Sequence, residues 1–287
     1  MGCIPITTRG CCRIMGPGAP TPLDPLTPSF KSLFPMSPST SAPIRDESQR
    51  SDEALQAWRD KLAAKSLKKQ LTAIAEVAAL GTAGWPLLME RAVAIAPTPV
   101  SLEAALTDDQ LALGAIYYAL AAVEDESVKA FLQQHYPQGI AALPAGCKVD
   151  YQPVQGCLMA HEFEEGDRQT LTLMCELAGP TAVDRKWLYF TEVPQFPILD
   201  LQTLDRLWLI YSSGKFGFSV QRQLWTAVKG DWETFWPKID WKDGNHWTRY
   251  PGEFQWTLDA PKGHLPLTNQ LRGVRVMEAL MNHPAWD

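Results

Sequence analysis

Three polar side chains near the C-terminal end carry the most specific chemistry in this chain. Asn269, Arg272 and Arg275 recur at three-residue steps within the run from Gly263 to Val276, so on a helix they share one flank. Thr268, just after a Gly/Pro-bearing turn, suits the N-cap of that helix. Leu271, Val274, Met277 and Met281 mark its apolar side. Arginine grips a carboxylate through a planar fork and stacks on rings, which lysine cannot do. Upstream, Trp241 to Pro266 holds Trp247, Tyr250, Phe254 and Trp256 among glycines and prolines, with no lasting period. A long segment of this kind is usually functional or disordered, and so many rings argue against disorder. Two guanidinium groups beside aromatic walls suit a flat apolar molecule that carries carboxylates. The plainer alternatives are solvated arginines on a surface helix, and rings that plug the domain's own core.

Catalytic patterns are absent from the sequence. It has no G-x-S-x-G, P-loop, dinucleotide fingerprint or H-E-x-x-H. His161, His246 and His264 are isolated from any nucleophile motif, and His264 between Gly263 and Leu265 suits a loop-structuring role better than that of a base. Asp205-Arg206 is expected to form a surface ion pair of little energetic weight. These residues favour binding over catalysis.

The elements that must position these groups fall into three segments. Residues 1–45 hold nine of the 23 prolines and a single acidic residue, Asp24. Such a segment buries too little to offset its ordering entropy, and a disordered extension is expected. Its Ser/Thr richness and scarcity of acids also fit an organelle transit peptide, although prolines interrupt the amphipathic periodicity such a peptide needs. Residues 46–140 are nearly all helical, with apolar sets at Leu55/Trp58/Leu62, Leu71/Ile74/Val77, Leu87/Leu88/Ala92 and Leu111/Ala115/Tyr118, then a short helix with Phe131. Thr107 or Asp108 should cap the fourth. Short helices with short loops imply a bundle or HEAT-like stack. Residues 146–287 carry nine of the 11 tryptophans. Here Phe163 to Leu177 and Leu201 to Tyr211 show helical spacing, with Asp200, Ser219 and Asp231 as expected N-caps, Gly214 as a terminator and Pro237 as a stop. The fold class is therefore all-α: an N-terminal helical bundle and a second all-helical domain.

At 287 residues the chain can bury a real core. The net charge of −6 argues against a nucleic-acid partner, which demands a basic footprint. No apolar run reaches the length of a membrane-spanning helix. The six cysteines form neither a CxxC pair nor a zinc-like spacing with histidine, and are expected as reduced thiols.

Phe196 to Leu201, Phe216 to Gln221, Trp236 to Ile239, Trp247 to Pro251 and Gly263 to Val276, in this order over about 140 residues, resemble the genomes-uncoupled-4 porphyrin-binding domain. Residues 46–140 are similar to the additional N-terminal domain of the cyanobacterial members. The resemblance implies a helical cupped hand whose apolar palm binds protoporphyrin IX and magnesium protoporphyrin IX. It implies a non-catalytic accessory factor that activates magnesium chelatase, in chlorophyll biosynthesis, by engaging the enzyme's H subunit. Carried over by position, Asn269, Arg272 and Arg275 line the palm as polar residues, while Phe190, Tyr250 and Phe254 supply its apolar and aromatic contacts. The implied setting is the cyanobacterial cytoplasm, with peripheral membrane association left open, or the chloroplast stroma. A tetrapyrrole sensor or carrier without direct action on the chelatase is the rival. Burying several hundred Å2 of macrocycle gives a gross gain on the order of 10 kcal/mol. Lost freedom removes much of that, leaving sub-micromolar to micromolar affinity.

Overall fold

The computed structural model describes residues 47–267 and 274–287. Residues 46–287 form one compact unit. Its first helices are α1 (Glu47–Leu62), α2 (Leu67–Ala78), α3 (Trp85–Ile95), α4 (Asp108–Ala121) and α5 (Glu126–His135). α2 buries Gln70, Ala73, Ile74 and Val77, the three- and four-residue spacing of an amphipathic helix. α4 opens on a capping box: Gln110 N–H donates to Thr107 Oγ1 at 3.3 Å, and Thr107 N–H donates to Gln110 Oε1 at 2.9 Å. The expectation of a cap at Thr107 or Asp108 thus resolves to Thr107. β1 (Val100–Ser101) pairs in parallel with β2 (Ala141–Ala142) and closes the set as a small clip.

The remaining elements are α6 (Gln152–Met159), α7 (Phe163–Ala178), α8 (Pro180–Arg185), α9 (Ile198–Tyr211), α10 (Phe218–Ala227), α11 (Trp232–Lys238), the two-residue antiparallel strands β3 (Lys242–Asp243) and β4 (His246–Trp247), and α12 (Arg275–Met281). α9 is the hub. Leu201, Leu204, Leu207 and Trp208 are fully buried on it, and Trp208 Nε1 donates to Thr170 Oγ1 of α7 at 3.0 Å. Phe163 and Phe216 pack on and beside the same indole.

The two helical sets meet where α4 crosses α9. A Cβ at Gly114 would lie 1.8 Å from the Ile210 carbonyl oxygen, so this close approach requires glycine. Two further contacts tie the seam. Arg206 Nη1 donates to Leu102 O at 2.6 Å, and the rings of Tyr118 and His161 stack at 3.7 Å and 9°.

Three expectations need correction here. Asp200 does not cap α9: Pro197 holds the N-cap backbone extended, and the helix begins at Ile198. Asp200 is instead buried and accepts from Lys148 N at 2.9 Å and from the Tyr151 hydroxyl at 3.2 Å. Nor does Ser219 cap α10, which starts at Phe218 after Gly217 at φ 137°. Its first-turn N–H group at Ser219 is accepted by Asp205 Oδ1 at 2.8 Å, a carboxylate from another helix favoured at a positive helix end. Asp205 is therefore a buried cap, pushed up to about 6 by burial, and it forms no ion pair with Arg206, which bonds Leu102 O. Asp231 caps α11 as expected, accepting from Thr234 N at 3.1 Å. Pro237 lies within that helix, which ends one residue later.

Candidate functional site

Two aromatic walls carry the candidate residues. The first follows α8. Arg185 Nη2 pairs with Glu192 at 2.7 Å, both side chains being largely buried, and Arg185 Nε donates to Trp187 O at 2.9 Å. The same guanidinium lies 4.4 Å over the Trp187 ring and 4.2 Å over that of Tyr189. Glu192 also accepts from Tyr189 N–H at 2.7 Å. One Arg–Glu pair thus fixes both side chains and backbone of this segment, a charge-assisted contact in which Nη2 reaches both carboxylate oxygens. What it displays outward is Tyr189 and Phe190, the latter 39% exposed. The Arg275 guanidinium, from the first residue of α12, lies 5.2 Å over the Phe190 ring, within cation–π range.

The second wall is the segment from Trp241 to Pro266, organised by His264. This imidazole is fully buried. Its Nε2 accepts from Gln255 N–H at 3.1 Å, so the proton sits on Nδ1, which donates to Ile239 O at 2.6 Å. Burial lowers its pKa and keeps the ring neutral, as that bonding demands. The His264 carbonyl accepts from Trp241 Nε1 at 2.8 Å. From this anchor the rings step outward: Trp241 to Phe254 at 6.3 Å, Phe254 to Trp256 at 5.8 Å, and Trp256 to Tyr250 at 5.9 Å, edge to face. Phe254 is 5% exposed and Tyr250 is 50% exposed. The loop-structuring role expected of His264 is what the geometry shows. Of the rings in this segment, Trp241 and Phe254 fill core while Tyr250 and Trp247 stand open.

Beneath Tyr250 and Trp256 is a cavity of about 560 Å3, with His161, Glu164 and Arg168 on its other side. Asp167, on the adjoining turn of α7, is buried; its Oδ1 accepts from Leu267 N–H at 2.6 Å. Burial pushes this carboxyl up to about 7, and Glu164 adds to the rise, while the Leu267 bond opposes it.

Of the six residues singled out from sequence, Phe190 and Arg275 meet directly, and Tyr250 and Phe254 meet through Trp256. Asn269 and Arg272, with the expected cap Thr268, lie outside the described residues. On α12, Met277 and Met281 face the core as the apolar pattern requires. Sequence reasoning missed Arg185, Glu192 and Asp167. The Arg185–Glu192 pair spans an irregular segment, where no periodicity signals that two charges converge. Among the described residues, no His/Cys/Asp/Glu group is disposed to hold a metal ion, and no helix is long and apolar enough to cross a membrane.

Comparison with known proteins matches most of the described span to one family. The profile described as GUN4-like covers residues 145–284, and the ARM-like repeat domain, GUN4-N terminal, covers residues 47–137. The chain is 49% identical over 222 residues to a Ycf53-like protein of Synechocystis sp., spanning 77% of this chain and 92% of that protein. It is 36% identical over 145 residues to the chloroplastic tetrapyrrole-binding protein of Arabidopsis thaliana, 47% of this chain and 55% of that one. The solved structure of GUN4 from Chlamydomonas reinhardtii is 43% identical, covers 51% of this chain and 96% of its own, and superposes with a TM-score of 0.48.

Proposed function

The chain belongs to the GUN4-like family, and on that premise we propose that it binds tetrapyrroles, namely protoporphyrin IX and magnesium protoporphyrin IX, and activates magnesium chelatase through its H subunit. The observation that carries the binding is Arg275 over the exposed Phe190 ring, beside Tyr189. A guanidinium held against an open aromatic face offers a macrocycle both things it presents, a flat apolar surface and edge carboxylates. In this reading Asn269, Arg272 and Arg275 hold the propionates. Phe190 and Tyr250 contact the ring face, and Phe254 backs Trp256 from below. The relative from Arabidopsis thaliana, named as a tetrapyrrole-binding protein, supports the ligand class.

The protein is a regulatory factor without chemistry of its own. It works in the cyanobacterial cytoplasm, reaching membranes peripherally, or in the chloroplast stroma. Apolar burial drives the affinity, and the arginines select the orientation of the ligand.

The test is a tryptophan-fluorescence titration with magnesium deuteroporphyrin. Nine tryptophans after residue 186 make quenching a sensitive report. Saturable quenching with a Soret shift is expected, weakened in Arg272→Ala without loss of fold. A linear, non-saturating response would overturn the binding. Chelatase activation is read apart from it, by insertion rate with purified subunits. Unchanged rates with intact porphyrin binding would leave a carrier.

A further inference from the structure

Away from both aromatic walls, a cavity of about 690 Å3 opens at the seam between the two helical sets. Its sides come from four places: Leu106 before α4, Arg206 and Leu209 on α9, Ser219 and Arg222 on α10, and Trp286 at the C-terminal end. We infer that this cavity is a second ligand site, for a small organic oxyanion, a phosphate or carboxylate on a short apolar body, held by Arg206.

The argument starts from Arg206. Its guanidinium is half-buried, and its hydrogen bond runs from Nη1 to the Leu102 carbonyl. A guanidinium carries five N–H donors, so the Nε and Nη2 edge remains for another acceptor. No carboxylate of the described residues pairs with it: Asp205, next to it in sequence, is turned to Ser219 N–H. That free edge faces the cavity, whose lining also includes Asp205, held by Ser219 N–H, and the exposed Asp287. Desolvation lowers its pKa and Asp205 partly restores it, the electrostatic sign of a cation short of a partner.

Its neighbours fit the same ligand. Arg222 lines the opposite helix, where Nε donates to Met281 O at 2.9 Å and Nη2 reaches the exposed Asp287 carboxylate at 3.3 Å. That last pair is long and wet, so an incoming anion can compete for it. Ser219, on the same wall, is turned to Asp205, its backbone N–H donating to Oδ1 at 2.8 Å and its hydroxyl also bonding that carboxylate, so Arg206 carries the recognition. Leu106, Leu209 and Trp286 form the apolar side, which excludes bare inorganic phosphate as the best occupant and favours an anion with a hydrophobic body. The volume falls in the range of small-molecule sites, roughly 300–1,000 Å3. Because Arg206 already ties α9 to Leu102, an anion bound on its other edge bridges the N-terminal helices to the tetrapyrrole-binding part of the chain.

The experiment uses the full chain, titrated separately with phenyl phosphate and benzoate at constant ionic strength. Side-chain 15N shifts of Arg206 Nε and Trp286 Nε1 are read by NMR. At least one probe is expected to saturate both signals at millimolar concentration, and the probe that saturates first identifies the anion. Arg206→Gln should weaken that probe by about tenfold or more, and Arg206→Lys by less. Failure of both probes to saturate, or equal affinity in Arg206→Gln, overturns the site. If Arg206→Gln does not fold, the wild-type Arg206 Nε signal decides: unmoved while other signals saturate, it removes Arg206 from binding.

Discussion

Arg275 and Phe190 are 85 residues apart in the chain, yet the guanidinium of one sits 5.2 Å over the ring of the other. Each was singled out from sequence on separate grounds, the first by helical spacing and resemblance, the second by resemblance alone. Their contact joins α12 to the segment after α8, so one face carries a cation and an apolar ring together. Arg275→Ala should raise the dissociation constant for magnesium deuteroporphyrin roughly three- to tenfold, the size of a half-exposed cation–π contact plus a rim carboxylate contact. Arg275→Lys should recover only part, because the planar fork is lost. Tryptophan quenching measures both, and equal affinity in Arg275→Ala would take this residue out of the site.

Gly114→Ala tests the seam. The new methyl would meet the Ile210 carbonyl at 1.8 Å, and backbone on both helices must move to admit it. Overpacking of this kind costs about 1–3 kcal/mol or more, well above the gain in helix propensity. Urea unfolding should show a lower midpoint. A variant as stable as the parent would mean α4 and α9 do not approach this closely.

His264→Ala should loosen the whole aromatic segment. It strips the partner from Gln255 N–H and Ile239 O together, and each orphaned group costs about 1–3 kcal/mol. Because burial lowers this pKa below the usual 6.5, its contribution is complete above about pH 6.5 and shrinks as pH falls below that value. His161, lowered to about 4 by burial, adds a loss of the same sign between about pH 6.5 and 4. Amide exchange at Gln255, followed from pH 7.5 to 5, reads the local effect. Protection unchanged in His264→Ala would refute it.

Asp167 works in the opposite direction. Its folded pKa is raised from 3.8 to about 7, so the native state holds the proton more tightly than the unfolded chain. Stability from this group is full below pH 3.8 and is lost as pH rises through about 7. Asp167→Asn keeps an acceptor for Leu267 N–H and removes the buried charge. It should therefore be more stable than the parent at pH 8, by on the order of a few kcal/mol, with the gap closing as pH falls toward 3.8. Thermal melts across that range decide it, and parallel curves would show that Asp167 titrates normally.

Much of the helical order was legible in advance because it is local. The Thr107–Gln110 capping box, the α2 stripe of Ala73, Ile74 and Val77, and Gly214 after α9 each depend on residues within about four positions. The mistaken caps, Asp200 and Ser219, fail for the complementary reason. Their assignments turned on partners 52 and 14 residues away, Lys148 and Asp205, and no local rule weighs a distant carboxylate against a nearby hydroxyl.

The candidate site divides in the same way. Residue type and spacing alone determined that this chain is all-helical and that an aromatic segment precedes an arginine-bearing run. Only the tertiary structure decided which rings stay open. Tyr250 and Phe254 lie four residues apart and are chemically alike, yet one is half exposed and the other buried. The difference comes from His264, whose bonds to Ile239 and Gln255 draw the backbone beside Phe254 into the core, and hydrogen bonds across 25 and nine residues leave no periodic mark on a sequence.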